Sequence, residues 1–286
     1  MSAQPDRMEL EKRVALVTGG GGAGTGRAIV LRLAAEGMAV VVADIDQDGG
    51  QETVRRVRAA GGRASFVPAD VTVEEDVLAM TAFAGDMFGG LDVLVNSAGG
   101  PDFPHFPDVP GDHWSRTLDR NLRGPMLAIQ HALPAMRRRG GGAVVNVASI
   151  AGMGTLPNPL VEYAVAKAGL IRLTAVLEPL AARDGVRVNS VAPDWIATPS
   201  SVAYAATLDP AERARQAIPD RMTPPEEIAG AVAGLIADDS LAGRVLVCWC
   251  DQPWVLVAPG DVGYARFEIS PAPPPAAPSD RLGAAG

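Results

Sequence analysis

Short apolar, β-branched runs alternate with longer amphipathic stretches along most of this chain. The runs predict strands at residues 14–18, 39–44, 64–68, 91–96, 143–147, 186–191 and 244–249. The stretches between them predict helices at about residues 25–36, 47–60, 73–88, 113–138, 159–183 and 226–237. Such alternation predicts a single α/β domain built on a doubly wound parallel sheet, with its ligand site at the carboxyl ends of the strands.

A glycine-rich turn links the first predicted strand to the first predicted helix. It reads Gly19-Gly-Gly-Gly-Ala-Gly24-Thr-Gly26 and follows the run Val14–Thr18 directly. Glycines let a backbone approach a pyrophosphate, and a helix N-terminus supplies free N–H groups and a favourable dipole. In this setting the turn predicts a Rossmann-type dinucleotide site, with Gly19, Gly24 and Gly26 as cofactor contacts.

The second predicted strand ends in an acid, Asp44, about twenty residues beyond the glycine turn. A carboxylate at this place is expected to accept hydrogen bonds from the adenosine ribose and to repel a 2′-phosphate. No arginine or lysine lies between Asp44 and Glu52 to bind such a phosphate. Asp44 therefore favours NAD over NADP, with a solvated strand-end carboxylate as the alternative interpretation.

Tyr163 and Lys167 stand four residues apart in a predicted helix, and Ser149 lies fourteen residues before the tyrosine. On a helix, this spacing places both side chains on one face, one turn apart. A lysine ammonium beside a phenol lowers the phenol's pKa from about 10, which allows proton exchange with an alcohol or carbonyl oxygen near neutral pH. The upstream glycine turn favours this interpretation over a half-buried tyrosine beside a solvated lysine.

Together these motifs resemble the short-chain dehydrogenase/reductase family over roughly residues 10–247. Further segments match that family's motifs in the same order: Ala69-Asp70-Val71-Thr72, Asn96-Ser97-Ala98-Gly99, Arg120-Asn121-Leu122, Val145 to Ser149, and Val188 to Pro193 followed by Ile196 and Thr198.

The resemblance implies an NAD-dependent oxidoreductase that interconverts a secondary alcohol and its ketone. It implies that Tyr163 is the acid/base and that Lys167 lowers its pKa while reaching the nicotinamide ribose. It also implies that Ser149 bonds the substrate oxygen and that Asn121 holds a proton-relaying water. Further cofactor contacts are implied at Asp70, Val71, Asn96, Ala98, Pro193, Ile196 and Thr198. Two alternatives are an NADPH-dependent reductase of a carrier-bound 3-oxoacyl chain and a member that binds cofactor without turnover.

The chain departs from the family pattern at three places. The glycine turn has one extra residue, so either it bulges or Gly20 takes the place of Gly19. Asp194 stands where the family has glycine, which predicts an unusual backbone conformation there and raises the alternative of a carboxylate near the nicotinamide. The apolar run Cys248–Ala258 replaces the usual ending, and its two cysteines are predicted to pack on one face of a strand.

Composition narrows the class of partner. A net charge of −8, from 33 acids and 25 bases, disfavours nucleic acid. Three scattered histidines and two cysteines predict no metal site. The longest apolar runs are too short to cross a bilayer, and the first residues carry no signal-peptide segment. A cytoplasmic location, a small-molecule alcohol or ketone substrate and no membrane partner are therefore predicted.

Three segments are predicted along the chain. Residues 1–11 form a polar N-terminal extension, residues 12–258 the NAD-binding catalytic domain, and residues 259–286 an extension that ends in a disordered Pro- and Ala-rich tail. Two irregular stretches, Gly99–Asp112 and Pro199–Met222, are predicted to wall the substrate pocket.

Assembly is also predicted. The resemblance implies a homotetramer or homodimer, since members of the family commonly pair long helices and their final strands. The run Cys248–Ala258 is more apolar than an exposed extension should be, and it is therefore predicted to be buried between subunits.

Overall fold

The computed structural model describes residues 12–154 and 158–260, and within them an eight-stranded sheet forms the centre of one α/β domain. The strands are β1 (Val14–Thr18), β2 (Ala39–Asp44), β3 (Arg63–Pro68), β4 (Val93–Asn96), β5 (Gly142–Val147), β6 (Val186–Pro193), β7 (Val245–Cys248) and β8 (Val255–Val257). Their spatial order is β3-β2-β1-β4-β5-β6-β7-β8, and β1 to β7 run parallel. The order reverses between β1 and β4, where a doubly wound sheet opens a crevice for a ligand.

Helices cover both faces of the sheet. They are α1 (Thr25–Ala35), α2 (Gln47–Ala59), α3 (Glu74–Phe88), α4 (Gly111–Leu118), α5 (Gly124–Arg138), α6 (Val161–Val176), α7 (Leu180–Asp184), α8 (Pro199–Ala206), α9 (Pro210–Arg215) and α10 (Pro225–Ala237). On one face α1 packs against α2 and α10, and on the other α3 packs against α5 and α4 against α6. The predicted doubly wound architecture is confirmed.

The strands alternate their side chains between two apolar layers. In β1, Val17 joins the layer that contains Leu33 of α1, whereas Leu16 joins the layer that contains Met80 of α3. All five residues of β1 are buried. A strand covered on both faces needs apolar side chains at every position, which explains why the strands were visible as continuous apolar runs.

Two predicted helices are interrupted in the structure. The helix predicted over 113–138 contains a π-helical turn, Asp119–Arg123, between α4 and α5. The helix predicted over 159–183 ends at Val176, and α7 begins after Pro179. Proline has no backbone N–H to continue a helix, and π turns are common at functional sites. The prediction of two uninterrupted helices was wrong.

The end of the sheet also differs from expectation. Strand β8 turns back and pairs antiparallel with β7, with Val247 opposite Val255. Cys248 is fully buried at the end of β7, whereas Cys250 lies beyond that strand. The prediction that both cysteines share one strand face was therefore wrong. Burial of this run between subunits stays a prediction, which light scattering at micromolar concentration would check.

The predicted terminal extensions lie almost entirely outside the described residues. Among the residues that are described, none of the helices combines the length and apolar character needed to span a bilayer.

Candidate functional site

The glycine turn (residues 19–26) lies between β1 and α1, at the carboxyl edge of the sheet. Gly19 has a φ of +70°, and a Cβ atom there would lie 2.7 Å from the Ala98 backbone. A Cβ at Gly26 would collide with the carbonyl oxygen of Gly19. Both positions thus require glycine. Because Gly19 itself adopts the left-handed conformation, the extra residue forms a bulge, and Gly20 does not replace Gly19.

The bulge is held by a carboxylate on one side and a guanidinium on the other. The N–H of Gly21 donates to Oδ2 of Asp44 at 2.7 Å. Nε of Arg27 donates to Oγ1 of Thr53 at 2.8 Å, and its Nη2 donates to the carbonyl oxygen of Gly21. No role was predicted from the sequence for Arg27 or Thr53. The position of Arg27 directly after the turn was the available signal, but its contact with Thr53 on α2 depends on the fold.

Loops that follow two other strands, β4 and β6, meet the glycine turn. Oγ1 of Thr18 accepts the N–H groups of Ser97 and Ala98 at 3.1 and 3.2 Å, which fixes the end of β4 against β1. A Cβ at Gly24 would lie 3.3 Å from Cγ2 of Thr198, at the start of α8. The predicted contacts Gly19, Gly24, Ala98 and Thr198 are therefore brought together.

Other predicted cofactor contacts lie further along this edge. The carboxylate of Asp70 accepts the backbone N–H and the hydroxyl of Thr72 at 2.9 and 2.8 Å. Val71 is buried against the start of α5. Pro193 is buried at the end of β6, and Ile196 forms a parallel bridge with Thr223.

The side chain of Asn96 points into the sheet. It is 3% exposed, and its Nδ2 donates to Oδ1 of Asn146 at 2.9 Å. Nδ2 of Asn146 in turn donates to Oγ1 of Thr174 at 3.0 Å. The amide nitrogen of Asn96 thus joins β4 to β5 at this edge of the sheet.

Asp194 does not adopt the unusual backbone conformation predicted for it. Among the described residues other than glycine, positive φ occurs at Ala217 and not at Asp194. The Asp194 side chain lies beside the thiol of Cys250. Burial raises the pKa of that thiol, and the Asp194 carboxylate raises it further. The backbone of this position therefore does not demand glycine.

The predicted tetrad converges between β5, α6 and the π-helical turn. Nζ of Lys167 donates to the carbonyl oxygen of Val147 at 2.8 Å and lies 5.4 Å from the ring centroid of Tyr163. The Ser149 hydroxyl interacts with the Tyr163 hydroxyl. A Cβ at Gly99 would lie close to both Oδ1 of Asn121 and Nζ of Lys167, so a glycine separates these last two groups.

Burial shifts the pKa values of both Tyr163 and Lys167. Although Tyr163 keeps part of its surface exposed, its phenol is enclosed, and this burial raises its pKa above 10.0 despite the opposing effect of Ser149. Burial, and secondarily the charge of Arg120, lowers the pKa of Lys167 from 10.5 to about 7. The expectation that Lys167 produces a net fall in the pKa of Tyr163 was wrong, because desolvation disfavours both charged forms.

Asn121 is fully buried in the π-helical turn. Its Nδ2 donates to the carbonyl oxygens of Gly100 and Thr117 at 2.9 Å each, and its Oδ1 accepts the N–H of Gly100 at 2.9 Å. Both amide hydrogens are committed to backbone, so the side chain has no N–H left to donate to a water. It anchors the loop that begins at Gly99.

Known proteins resemble this chain closely enough to classify it. A family model described as enoyl-(acyl carrier protein) reductase matches residues 20–247. The cis-4-hydroxycyclohexanecarboxylate dehydrogenase of Sinomonas cyclohexanicum is 41% identical over 230 residues, which are 79% of this chain and 90% of that protein. The cyclohexanol dehydrogenase of Acinetobacter sp. (strain SE19) is 36% identical over 233 residues, 81% of this chain and 90% of that protein.

A solved structure shows the same fold. The short-chain type dehydrogenase/reductase from Mycobacterium ulcerans superposes with a TM-score of 0.76 at 28% identity, covering 83% of this chain and 88% of that one. These matches define an oxidoreductase that acts on CH–OH groups, a class that uses nicotinamide cofactors. The chain belongs to the short-chain dehydrogenase/reductase family.

Proposed function

We propose that this protein is an NAD-dependent oxidoreductase that interconverts a secondary alcohol and its ketone, with Tyr163 as the acid/base. The observation that carries the proposal is the enclosed cluster of Ser149, Tyr163 and Lys167 at the sheet edge that also bears the glycine turn. Two relatives are named as dehydrogenases of six-membered ring alcohols, which supports a secondary alcohol as substrate.

The glycine turn fits a dinucleotide. Helix α1 begins at an N-cap, Gly24, that makes no side-chain capping bond, and its first turn carries no acidic residue. Its N–H groups are therefore open to an anion, and the helix dipole favours one. A Cβ at Gly22 would meet no atom within 4 Å, so the turn has room beside this end of the helix. We assign the pyrophosphate to the glycine turn.

Asp44 supports NAD rather than NADP. Its carboxylate accepts the N–H groups of Gly21 and Asp46 at 2.7 and 2.9 Å. A carboxylate has about four lone-pair sites, so two remain for ribose hydroxyls. The same negative charge would repel a 2′-phosphate. Asp70 and Thr198 are proposed as further cofactor contacts, whereas the Asn96 amide is assigned a structural role.

The proposed proton path runs through Tyr163. When bound, the nicotinamide supplies or accepts the hydride. In reduction, the phenol donates its proton to the substrate oxygen, while the Ser149 hydroxyl stabilises the charge that develops there. Lys167 exchanges its own proton near neutral pH, because its pKa is lowered to about 7. Asn121 is proposed to hold a relaying water through a backbone carbonyl of the π-helical turn, since its side-chain N–H groups are committed.

The test follows NADH absorbance during oxidation of a secondary alcohol by the purified protein. Tyr163→Phe should reduce kcat by about a hundredfold or more, the usual scale of general acid–base catalysis. The dissociation constant of NADH should stay unchanged, which separates lost chemistry from lost folding. A variant that retains near-normal kcat would show that the proton takes another route.

The alternative of an NADPH-dependent acyl-carrier reductase draws on the description of the matching family model. It predicts faster reduction of a 3-oxoacyl thioester with NADPH than with NADH, the reverse of the preference expected from Asp44. Tight cofactor binding without turnover of any alcohol or ketone would instead favour a non-catalytic member.

A further inference from the structure

Glu162 is a buried carboxylate, next to Tyr163, that the proposed proton path does not use. Its side chain is 3% exposed. Oε1 lies 3.2 Å from Nδ1 of His105, and Oε2 accepts the N–H of Phe106 at 3.3 Å. Burial opposes ionisation, but hydrogen bonds from backbone N–H groups and from His105 hold the pKa of Glu162 below its ordinary value. A buried carboxylate that stays charged binds its hydrogen-bond donors tightly, because without them it would be a buried charge with no partner.

The partners of Glu162 belong to a loop, residues 99–110, that is also fixed at its beginning. Asn121 binds Gly100 there through both its oxygen and its nitrogen. Asp102 accepts the hydroxyl of Thr117 at 3.1 Å and pairs with the guanidinium of Arg120 at 2.9 Å. The loop is thus attached to α4, to the π-helical turn and to the start of α6.

This loop presents an aromatic ring to a second segment of the protein. The ring of Phe103 lies 4.6 Å from that of His105 and 6.3 Å from that of Tyr204 on α8. Tyr204 lies 6.4 Å from Trp195, with the two ring planes within 5° of parallel. Trp195 follows β6 directly after Asp194. We call these four rings, Phe103, His105, Trp195 and Tyr204, the ring wall.

The ring wall is attached to α6, the helix that carries the proposed acid/base. His105 connects it to Glu162, the residue before Tyr163. Phe103 is 61% exposed, which leaves a large apolar surface uncovered at this point. Two side chains of the loop, Asp102 and His105, are paired with Arg120 and Glu162. The uncovered surface of Phe103 therefore suits an apolar group, and an aromatic ring packs favourably against another aromatic ring.

We propose that the ring wall selects secondary alcohols and ketones that carry an aromatic ring, and that Glu162 is the positioning residue that holds this wall against α6. The inference rests on the proposed alcohol–ketone oxidoreduction and names its substrate class. Its test compares 1-phenylethanol with 2-octanol, which has the same number of carbons in an open chain. We expect the wild-type protein to favour the ring by about tenfold or more in kcat/KM, the scale of discrimination by apolar pockets.

Phe103→Ala should lower this ring preference about tenfold, chiefly through a higher KM for 1-phenylethanol. Phe106→Ala is the matched control. Phe106 lies in the same loop and is 51% exposed, and its ring makes no contact with another ring within the described residues. Its backbone N–H, which Glu162 binds, is retained in the variant. An equal loss of preference in both variants would overturn the assignment of the wall.

Glu162→Ala should lower the ring preference as Phe103→Ala does, while the dissociation constant of NADH stays unchanged. Because both substitutions are proposed to act through the ring wall, the double variant Phe103→Ala/Glu162→Ala should be no less selective than either single variant. Glu162→Gln, which keeps an acceptor oxygen, should restore part of the preference. A Glu162→Ala variant that loses kcat/KM equally on both alcohols would show general disruption of α6 and overturn the positioning role.

The outcomes separate the two levels of the proposal. A wild-type protein that oxidises both alcohols with equal kcat/KM overturns ring selection and leaves the proposed function intact. A protein that binds NADH but oxidises neither alcohol overturns the proposed function, and ring selection with it.

Discussion

The glycine turn and the ring wall occupy the same edge of the sheet but are built in opposite ways. In the turn, backbone groups are fixed by polar contacts, such as the N–H of Gly21 on Asp44 and its carbonyl on Arg27. In the ring wall, side chains from distant segments, such as Phe103 and Tyr204, meet through ring faces and leave apolar surface exposed. A cofactor of constant shape can be matched by backbone geometry, whereas the apolar part of a substrate is matched by side-chain surface.

The largest effect on the glycine turn is expected from the addition of a single methyl group. Gly26→Ala would place Cβ against the carbonyl oxygen of Gly19. We expect NADH binding to weaken by a hundredfold or more, on the order of 3 kcal/mol, the upper part of the range for overpacking. Gly85→Ala in α3 is the matched control, because its Cβ would meet no atom within 4 Å and it lies outside the glycine turn; it should weaken binding less than fivefold. Fluorescence titration with NADH measures both, and equal effects would contradict the assigned geometry.

Lys167 allows the enclosed part of the site to be tested through pH. Its pKa is lowered from 10.5 to about 7, first by burial and then by Arg120. Above about pH 7 the folded protein releases a proton that the unfolded chain keeps until about pH 10.5, so the free energy of unfolding should rise with pH across this window.

Lys167→Met should remove that rise. Between pH 7.5 and 9, the wild-type protein should gain up to about 2 kcal/mol in the free energy of unfolding relative to the variant, from 1.36 kcal/mol per pKa unit. Urea unfolding at both pH values checks this. Parallel changes in the two proteins would mean that Lys167 is not desolvated as the structure indicates.

Substitutions of Asp44 test the polar contacts of the glycine turn, with a smaller expected effect. Asp44→Ala should narrow the preference for NADH over NADPH by about tenfold, or roughly 1.4 kcal/mol, because it removes the charge that repels a 2′-phosphate. Asp44→Asn separates charge from hydrogen bonding, since it keeps an acceptor for the N–H of Gly21. Equal kcat/KM for the two cofactors in the wild-type protein would refute the assignment.

The smallest effect is expected at Asp194, the residue before Trp195 of the ring wall. Oxidised nicotinamide is cationic and the reduced form is neutral, so a nearby carboxylate should favour the oxidised form by about 1 kcal/mol. Asp194→Gly should then weaken NAD⁺ binding several-fold relative to NADH. An unchanged ratio of the two dissociation constants would mean that Asp194 serves only to pack against Cys250.

Local patterns predicted most of the fold. Strands buried on both faces read as apolar runs, and helices between them read as amphipathic stretches. The failures have local causes that the pattern does not show. Pro179 breaks a helix whose apolar periodicity continues past it, and the π-helical turn around Asn121 changes the backbone without changing the composition. Strand β8 was missed because it is only three residues long.

The sequence by itself determined the strand–turn–helix unit, the place of Asp44 at a strand end, and the shared helix face of Tyr163 and Lys167. Each follows from residues close together in the chain. Only the tertiary structure decided the direction of the pKa shifts, because these depend on how fully the surrounding protein excludes water. It also decided the contact of His105 with Glu162 across 57 residues, since side chains so far apart in sequence meet only after the whole sheet has formed.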